Sequence, residues 1–458
     1  MSLREHAETI WRAGVAAVDS SAAVRRHISC DGKTLRIAEV ELLLSDLRHI
    51  EIIGAGKAGA GMATGAESAL LEHLPASQIS GWVNVPADCV KPLQRIHLHA
   101  ARPSGINEPT SEGVEGTNEI LRRISNLKQN DVCLVLLSGG ASALLCSPVP
   151  QISLADKLAV TRALASSGAP IQELNLVRTQ LSQVKGGRLA VACKAGRLVA
   201  LIISDVIGDP LEVIGSGPTT SAPSRADQAL EILQRRQLLQ TIPHGVLSFL
   251  ESRRGGQAES PTTTAVQNVI VASNRIAVQA AAARARELGY RVDSLGSKNA
   301  GDAAAEGREL MQKLLVARSQ RHSNGPLCIL SGGEPTVDLR NANTPASPTK
   351  TSQFASAKGG RNQELVLAAI TQNPNPADWQ RIALLSGGTD GEDGPTDAAG
   401  AVADAELVAR MSLEKANPSA SLAAHDSYHF FEAVNGLLKT GPTHTNVMDL
   451  RVGLVNFC

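Results

Sequence analysis

Aromatic side chains are scarce: Phe, Trp and Tyr make up only 2% of the 458 residues, too few to provide the stacking platforms that hold single-stranded nucleic acids. A net charge is missing as well, with 44 basic against 44 acidic residues. No general field therefore draws the protein to nucleic acid or to an acidic membrane, although a local basic pocket stays open. The seven cysteines are odd in number and never fall as Cys-x-x-Cys, which argues against a disulfide framework and a zinc site. No apolar run approaches the roughly 20 residues that span a bilayer. The opening MSLREHAETIWRAGVAAV carries charges where a secretory leader needs an apolar stretch, so the cytoplasm is the expected compartment.

Hydrophobic residues at 43%, charged residues at 19% and 40 glycines suit an Ala/Gly-rich globular enzyme. Single cores stop growing near 250–300 residues, so the length predicts two domains. Short apolar runs at 49–53, 132–137, 198–203, 268–272, 327–330 and 382–385 alternate with helical patterns, as in βαβ units and parallel sheets. Ser153 with Asp156 reads as a capping box, and Gly168-Ala169-Pro170 as a stop. Near the N-terminus Ala7, Ile10, Trp11, Val15 and Val18 form a helical apolar stripe that also contains Gly14. The run NVIVASNRIAVQAAAARARELGYRV predicts strand, helix, Gly289 at the C-cap and strand again. Polar stretches at 251–265 and 341–358 read as loops. The first is taken as the boundary between domains 1–255 and 256–458, and the second as a loop within the later domain.

Residues 50–63, IEIIGAGKAGAGMA, place Gly54, Gly56 and Gly59 in G-x-G-x-x-G spacing after a strand, the pattern of a dinucleotide turn. Such a site also needs an acid about 20 residues on, at the end of the next strand. Here that strand ends in Pro86, and Glu72 falls in the helix pattern. Lys57 sits between the glycines instead, at a helix N-terminus, where an ammonium suits a phosphate or small carboxylate. Glycines that allow close packing beside a solvated lysine are the plainer reading. P-loop, GxSxG and HExxH patterns are absent.

LLSGGAS (136–142), ILSGGEP (329–335) and LLSGGTD (384–390) each end an apolar strand in Ser-Gly-Gly, and IISDVIGD places Asp205 at a fourth strand end. Ligands of parallel sheets bind at such ends, where glycines let N–H groups approach an anion. KGGR occurs at 185–188 and 358–361, putting Arg361 in the first turn of a helix. A cation is unfavourable there by the macrodipole, so a functional reason gains weight. Asp390, Glu392, Asp393 and Asp397 follow the third Ser-Gly-Gly, at a spacing that fits no EF-hand but suffices for Mg²⁺, which needs few carboxylates. An acidic surface loop is the alternative. Anion cradles, cations and carboxylates together are what phosphoryl transfer requires.

GAGKAGAGMA, LLSGGASALL, LVRTQLSQVKGGRLA, ISDVIGDPLEVIGSGPT, SGGEPTV, GGRNQELVLAA, GGTDGEDGPTDAAGAV and TGPTHTNVMDLRVGLV follow one another in this order. Together they closely resemble the class II glycerate kinases, whose C-terminal part is the MOFRL domain, over nearly the whole chain. The resemblance implies two α/β domains, the first Rossmann-like with a mainly parallel sheet, and an active-site cleft between them. It implies ATP- and Mg²⁺-dependent phosphorylation of D-glycerate at the 2-hydroxyl. The family's catalytic lysine, arginine and aspartate fall on Lys57, Arg361 and Asp390. The expected roles are phosphoryl neutralisation for Lys57, a grip on the glycerate carboxylate for Arg361, and proton acceptance or magnesium binding for Asp390. The nucleotide is expected on Ser138, Gly139, Gly140, Ser142, Lys185, Gly186, Gly187, Asn274 and Glu334, and Mg²⁺ on Asp205 and Asp393. D-glycerate and ATP are the partners, with no nucleic acid or membrane, and a homodimer is left open.

Three departures stand out. His444 replaces a glycine in GPTHTN, AARPSGINEPT replaces a His-Pro segment, and the 341–358 loop is long. His444 is expected to face solvent. An NAD(P)H-dependent hydroxypyruvate reductase and a non-catalytic sugar-acid sensor are the competing functions. The absent ribose acid counts against the first, and the joint presence of Lys57, Arg361 and the acidic turn against the second.

Overall fold

The computed structural model describes residues 1–106, 108–221, 223, 225–255, 264–320, 325–338 and 357–457. The chain divides into two compact units, one of residues 20–271 and one joining residues 1–19 to 272–458.

In the first unit, strands β1 (Ile28–Cys30), β2 (Thr34–Ile37) and β3 (Val40–Leu43) form a small antiparallel meander. Gly32-Lys33-Thr34 turns its first hairpin, with the Asp31 carboxylate accepting from the N–H groups of Lys33 and Thr34. The main sheet contains β4 (His49–Ala55), β5 (Ile79–Pro86), β6 (Ile96–Arg102), β7 (Asp131–Leu137), β8 (Arg197–Ile203) and β9 (Ala265–Ala272), in the spatial order β6-β5-β4-β7-β8-β9. The pairings β4–β5, β4–β7, β5–β6 and β7–β8 are parallel. This is the doubly wound Rossmann order, and its topological switch point lies between β4 and β7. The central strands are buried on both faces, so they read as continuous apolar runs. The capping box at Ser153 forms and starts the helix Leu154–Ser166.

The second unit contains β10 (Arg291–Ser294), β11 (Leu327–Gly333), β12 (Ile382–Gly388), β13 (Gly400–Asp404), β14 (Leu437–Leu438) and β15 (Asp449–Val455), in the order β10-β11-β15-β12-β13-β14. Only β10–β11 is parallel among these pairings. The alternation of strand and helix patterns through most of the sequence pointed to parallel pairing, and the mainly parallel sheet was expected in the first domain. Here the last strand of the chain enters antiparallel between β11 and β12 instead, and a strand buried on both faces carries no sequence mark of its direction.

Two further expectations change. NVIVASNRIAVQAAAARARELGYRV is not one βαβ unit, because β9 belongs to the first sheet while the helix Asn274–Glu287 and β10 belong to the second unit. The division therefore falls at 271/272 rather than at 255/256, and residues 256–263 lie outside the described residues. The N-terminal helix Leu3–Ala17 packs in the second unit, on the helix Asn274–Glu287, and buries Ala7, Ile10 and Trp11. Gly14 is required for that contact, since a Cβ there would lie 2.5 Å from Leu450 Cδ2 and 2.9 Å from the Ala277 carbonyl oxygen.

Candidate active site

The candidate residues fall into two groups, one in each unit. In the first unit the G-x-G-x-x-G turn leaves β4 at the switch point, directly beside the Ser-Gly-Gly turn that leaves β7. The two turns are tied together. The Lys57 N–H donates to the Gly139 carbonyl (2.8 Å), and the Gly56 N–H to the Asn84 carbonyl (3.2 Å). The Gly59 N–H donates to the Gly56 carbonyl at 3.1 Å, and the Ala58 N–H to Ser138 Oγ at 3.1 Å. The N–H groups of Gly56, Lys57, Ala58 and Gly59 are thus already engaged. Gly56, at φ +148°, is glycine because a Cβ would stand 2.0 Å from Ser138 Oγ.

What this turn offers a ligand is the exposed Lys57 side chain. Its Cγ lies 3.2 Å from the position of a Cβ on Gly140, and Arg102, at the end of β6, has Nη2 3.7 Å from the same point. On Gly139 a Cβ would meet Asp205 Oδ2 at 2.2 Å, so the absent side chain makes room for that carboxylate. Burial pushes the Asp205 pKa up, with Lys57 pulling it the other way.

Lys185, Gly186 and Gly187, expected to bind nucleotide, are internal. Lys185 is fully buried, and its ammonium donates to Ser142 O (2.9 Å), Ser142 Oγ (2.5 Å) and Ser216 Oγ (3.2 Å). The N–H groups of Gly186 and Gly187 donate to the carbonyls of Ser216 and Gly217 at 3.0 and 2.7 Å. This is loop architecture rather than an open anion cradle. Ser138 likewise acts as a cap for the lysine turn.

In the second unit both remaining Ser-Gly-Gly segments lie within strands and flank β15. Gly333 stands opposite Asp449 on one side and Gly388 on the other, while Ser331 and Ser386 both stand opposite Arg451. Their glycines make room for neighbours: Gly332 for Asn274, Gly387 for the Trp11 ring, and Gly388 for Asp390, whose Oδ1 lies 3.0 Å from a Cβ position there. Asp449, which the sequence reading did not single out, is fully buried. It accepts from Arg361 Nε at 2.7 Å and Nη2 at 3.0 Å, and Arg361 Nη1 pairs with Glu334 at 3.2 Å. Burial opposes the arginine's charge, but the Asp449 carboxylate outweighs it and pushes the pKa up. A carboxylate and an arginine within the apolar run MDLRVGLV were the signal available for Asp449, because charges are rarely buried unless paired. Met448, at φ +70°, is backbone strain of the kind that gathers at functional sites.

Asp390 is half-buried beside this pair. Its Oδ1 accepts from the Glu392 N–H at 3.2 Å, and burial, with Asp449 nearby, raises its pKa. Asp393, expected as a metal ligand, caps a helix with both carboxylate oxygens. Oδ1 accepts from the Asn362 N–H (3.0 Å) and Oδ2 from the Gln363 N–H (2.8 Å), two orphan donors of the helix Arg361–Gln372. Burial raises the Asp393 pKa to about 6. Asn274 is likewise structural: its amide donates to the carbonyls of Val447 and Asp449, both at 2.8 Å, and so fixes the start of β15. His444 is exposed, at φ +59°. The 341–356 part of the long loop lies outside the described residues. Among the described residues no three His, Cys, Asp or Glu side chains gather as a metal site, and no helix is long and apolar enough to cross a membrane.

One unit thus carries a Rossmann-ordered sheet with a lysine at its switch point, and the other an arginine among carboxylates, charged groups of the kind a phosphotransferase uses. Two family models match the chain, a domain of unknown function (DUF4147) over residues 6–251 and the MOFRL family over residues 327–449. The chain is 35% identical to a glycerate kinase of Mus musculus, with 99% of this chain and 93% of that one covered. It is also 37% identical to a putative hydroxypyruvate reductase of Agrobacterium vitis over 88% of this chain and 86% of that one. The crystal structure of a glycerate kinase from Thermotoga maritima superposes with a TM-score of 0.82 at 29% identity, covering 99% of both chains. The chain belongs to the glycerate kinase family.

Proposed function

We propose that this protein transfers a phosphoryl group from ATP to the 2-hydroxyl of D-glycerate, giving 2-phospho-D-glycerate and ADP, with Mg²⁺ and in the cytoplasm. The observation that carries the reading over a nicotinamide-dependent reductase is the closed glycine turn. With the N–H groups of Gly56, Lys57, Ala58 and Gly59 engaged inside the protein, the turn presents an ammonium rather than a pyrophosphate cradle. The strand that should end in a ribose-binding acid ends in Pro86.

Lys57 neutralises charge on the transferred group. Asp390 accepts the hydroxyl proton, and a raised pKa brings a carboxylate closer to the value an effective base needs at neutral pH. Arg361 is held by Asp449 on two of its nitrogens and directs Nη1 toward the half-exposed Glu334, the side from which a substrate carboxylate would be gripped. Asp205, a carboxylate over the glycine turn and beside a lysine, fits a Mg²⁺ that keeps waters and phosphate oxygens as its other ligands. That ion would supply charge neutralisation across the phosphates.

The test is incubation with D-glycerate, ATP and Mg²⁺, mass measurement of the product and NMR location of its phosphate, alongside NADH with hydroxypyruvate. ATP consumption with phosphate on carbon 2 is expected. NADH oxidation without ATP use overturns the proposal, and phosphate on carbon 3 overturns its regiochemistry. Lys57→Ala should lower turnover by about 10²–10³-fold with the fold retained, and near-wild-type rates would refute the role given to Lys57.

A further inference from the structure

Three basic side chains of the first unit have no carboxylate beside them among the described residues. Lys157 lies on the helix Leu154–Ser166, Arg178 on the helix Ile171–Gln180, and Lys185 in the turn that follows. Lys157 and Lys185 are 2% and 0% exposed. The electrostatic partners of Arg178 and Lys185 include no Asp or Glu, only each other, Lys157 and the buried Cys146. The buried Lys157 amine has no oxygen partner among the described residues, only the Cys146 thiol beside it. The half-buried Arg178 makes two long bonds, to Asn175 Oδ1 at 3.3 Å and to Ser142 Oγ at 3.2 Å. Ser142 follows the Gly139-Gly140 turn that packs on Lys57, and its Oγ also lies 3.2 Å from Ser216 Oγ. Ser216 is held at φ +67° between Gly215 at +59° and Gly217 at +61°. Of the three only Ser216 carries a Cβ, and a non-glycine residue in this region is costly and persists where the surroundings impose it.

Burying several cations together without a counter-charge is strongly unfavourable. Burial, Arg178 and Lys157 push the Lys185 pKa far down, so the cluster is poised to gain stability from an incoming anion. A planar guanidinium with donors to spare, fronted by a hydroxyl and backed by two lysine amines whose charged form an anion would favour, matches a multivalent oxyanion better than a single carboxylate.

We propose that Arg178 and Ser142, with Lys157 and Lys185 behind them, form a phosphate-binding site beside the one served by Lys57. The site rests on the phosphotransferase reading only for the source of its phosphate. Binding of inorganic phosphate to the full chain, followed by calorimetry without nucleotide or Mg²⁺, tests it independently of turnover. Arg178→Met should weaken binding about tenfold or more, and Lys128→Met, an exposed lysine before the start of β7, less than threefold. Lys157→Met, an apolar replacement of similar length, should also weaken it and keeps the test open if the arginine variant misfolds. Unchanged affinity in Arg178→Met or Lys157→Met, or no phosphate binding by the wild type, overturns the site. Competition identifies the source: displacement by ADP assigns a nucleotide phosphate and displacement by 2-phosphoglycerate a product phosphate. Displacement by neither overturns the proposal. A chain that phosphorylates glycerate yet binds phosphate equally in every variant loses this site alone. One that loses phosphate binding in Arg178→Met but has no kinase activity loses only the assigned reaction.

Discussion

Arg361 meets Asp449 through two near-parallel bonds of 2.7 and 3.0 Å, and the aspartate is fully buried while the arginine is not. The pair stands at the start of the central strand of the second sheet, flanked on both sides by glycine.

Removing one partner of such a pair leaves a buried charge alone. Arg361→Met should lower stability by about 3 kcal/mol and kcat/KM by about 10²–10³-fold. The double variant Arg361→Met/Asp449→Leu should regain most of the stability and none of the activity. Denaturant unfolding and steady-state kinetics on the same preparations check both halves, and a double variant no more stable than the single one would contradict the stated cause.

Asp390 should impose an acid limb on the rate. Burial raises its pKa above the ordinary carboxylate value, and a base must be ionised to accept a proton. kcat/KM should therefore be full above that raised pKa and fall as the pH drops through it. Asp390→Asn should lose most activity, and its residual rate should lack this limb. An unchanged limb in the asparagine variant would assign the titration to another group.

Gly56 tests the closed turn. Alanine there would place a Cβ 2.0 Å from Ser138 Oγ at φ +148°, so Gly56→Ala should cost about 3 kcal/mol or more. Adding Ser138→Ala should recover only part of that, because the Ser138 backbone also lies within 2.9 Å. A stable Gly56→Ala protein would mean that the turn is open and able to admit a pyrophosphate.

His444, exposed at φ +59°, occupies a conformation that glycine adopts without the Cβ penalty. His444→Gly should raise stability by up to about 1 kcal/mol, the left-handed strain relieved less the flexibility added to the unfolded chain. A measured loss would show that the imidazole makes a contact worth more than the strain.

Particular elements show why some features could be read early and others could not. The capping box at Ser153 was legible because donor and acceptor lie three residues apart on one helix turn. Lys57 was legible because glycine spacing is a local signal. The two KGGR segments were not separable: Arg188 Nη1 donates to the carbonyls of Thr179 and Ser182, both at 2.6 Å, whereas Arg361 meets carboxylates distant in sequence. The internal partners of Asp393, Asn274, Gly186 and Gly187 were not legible for the same reason, since each lies well along the chain.

Local pattern alone determined the α/β class, the apolar strands, the switch-point lysine and the helix that begins at Arg361, because periodicity, capping and glycine placement act over a few residues. Tertiary structure decided to which sheet β9 belongs, in which direction β15 runs, and that Asp449 faces the arginine. Those outcomes depend on which distant segments bury one another and where a buried charge finds its counterpart, and neither is written in the spacing of neighbouring residues.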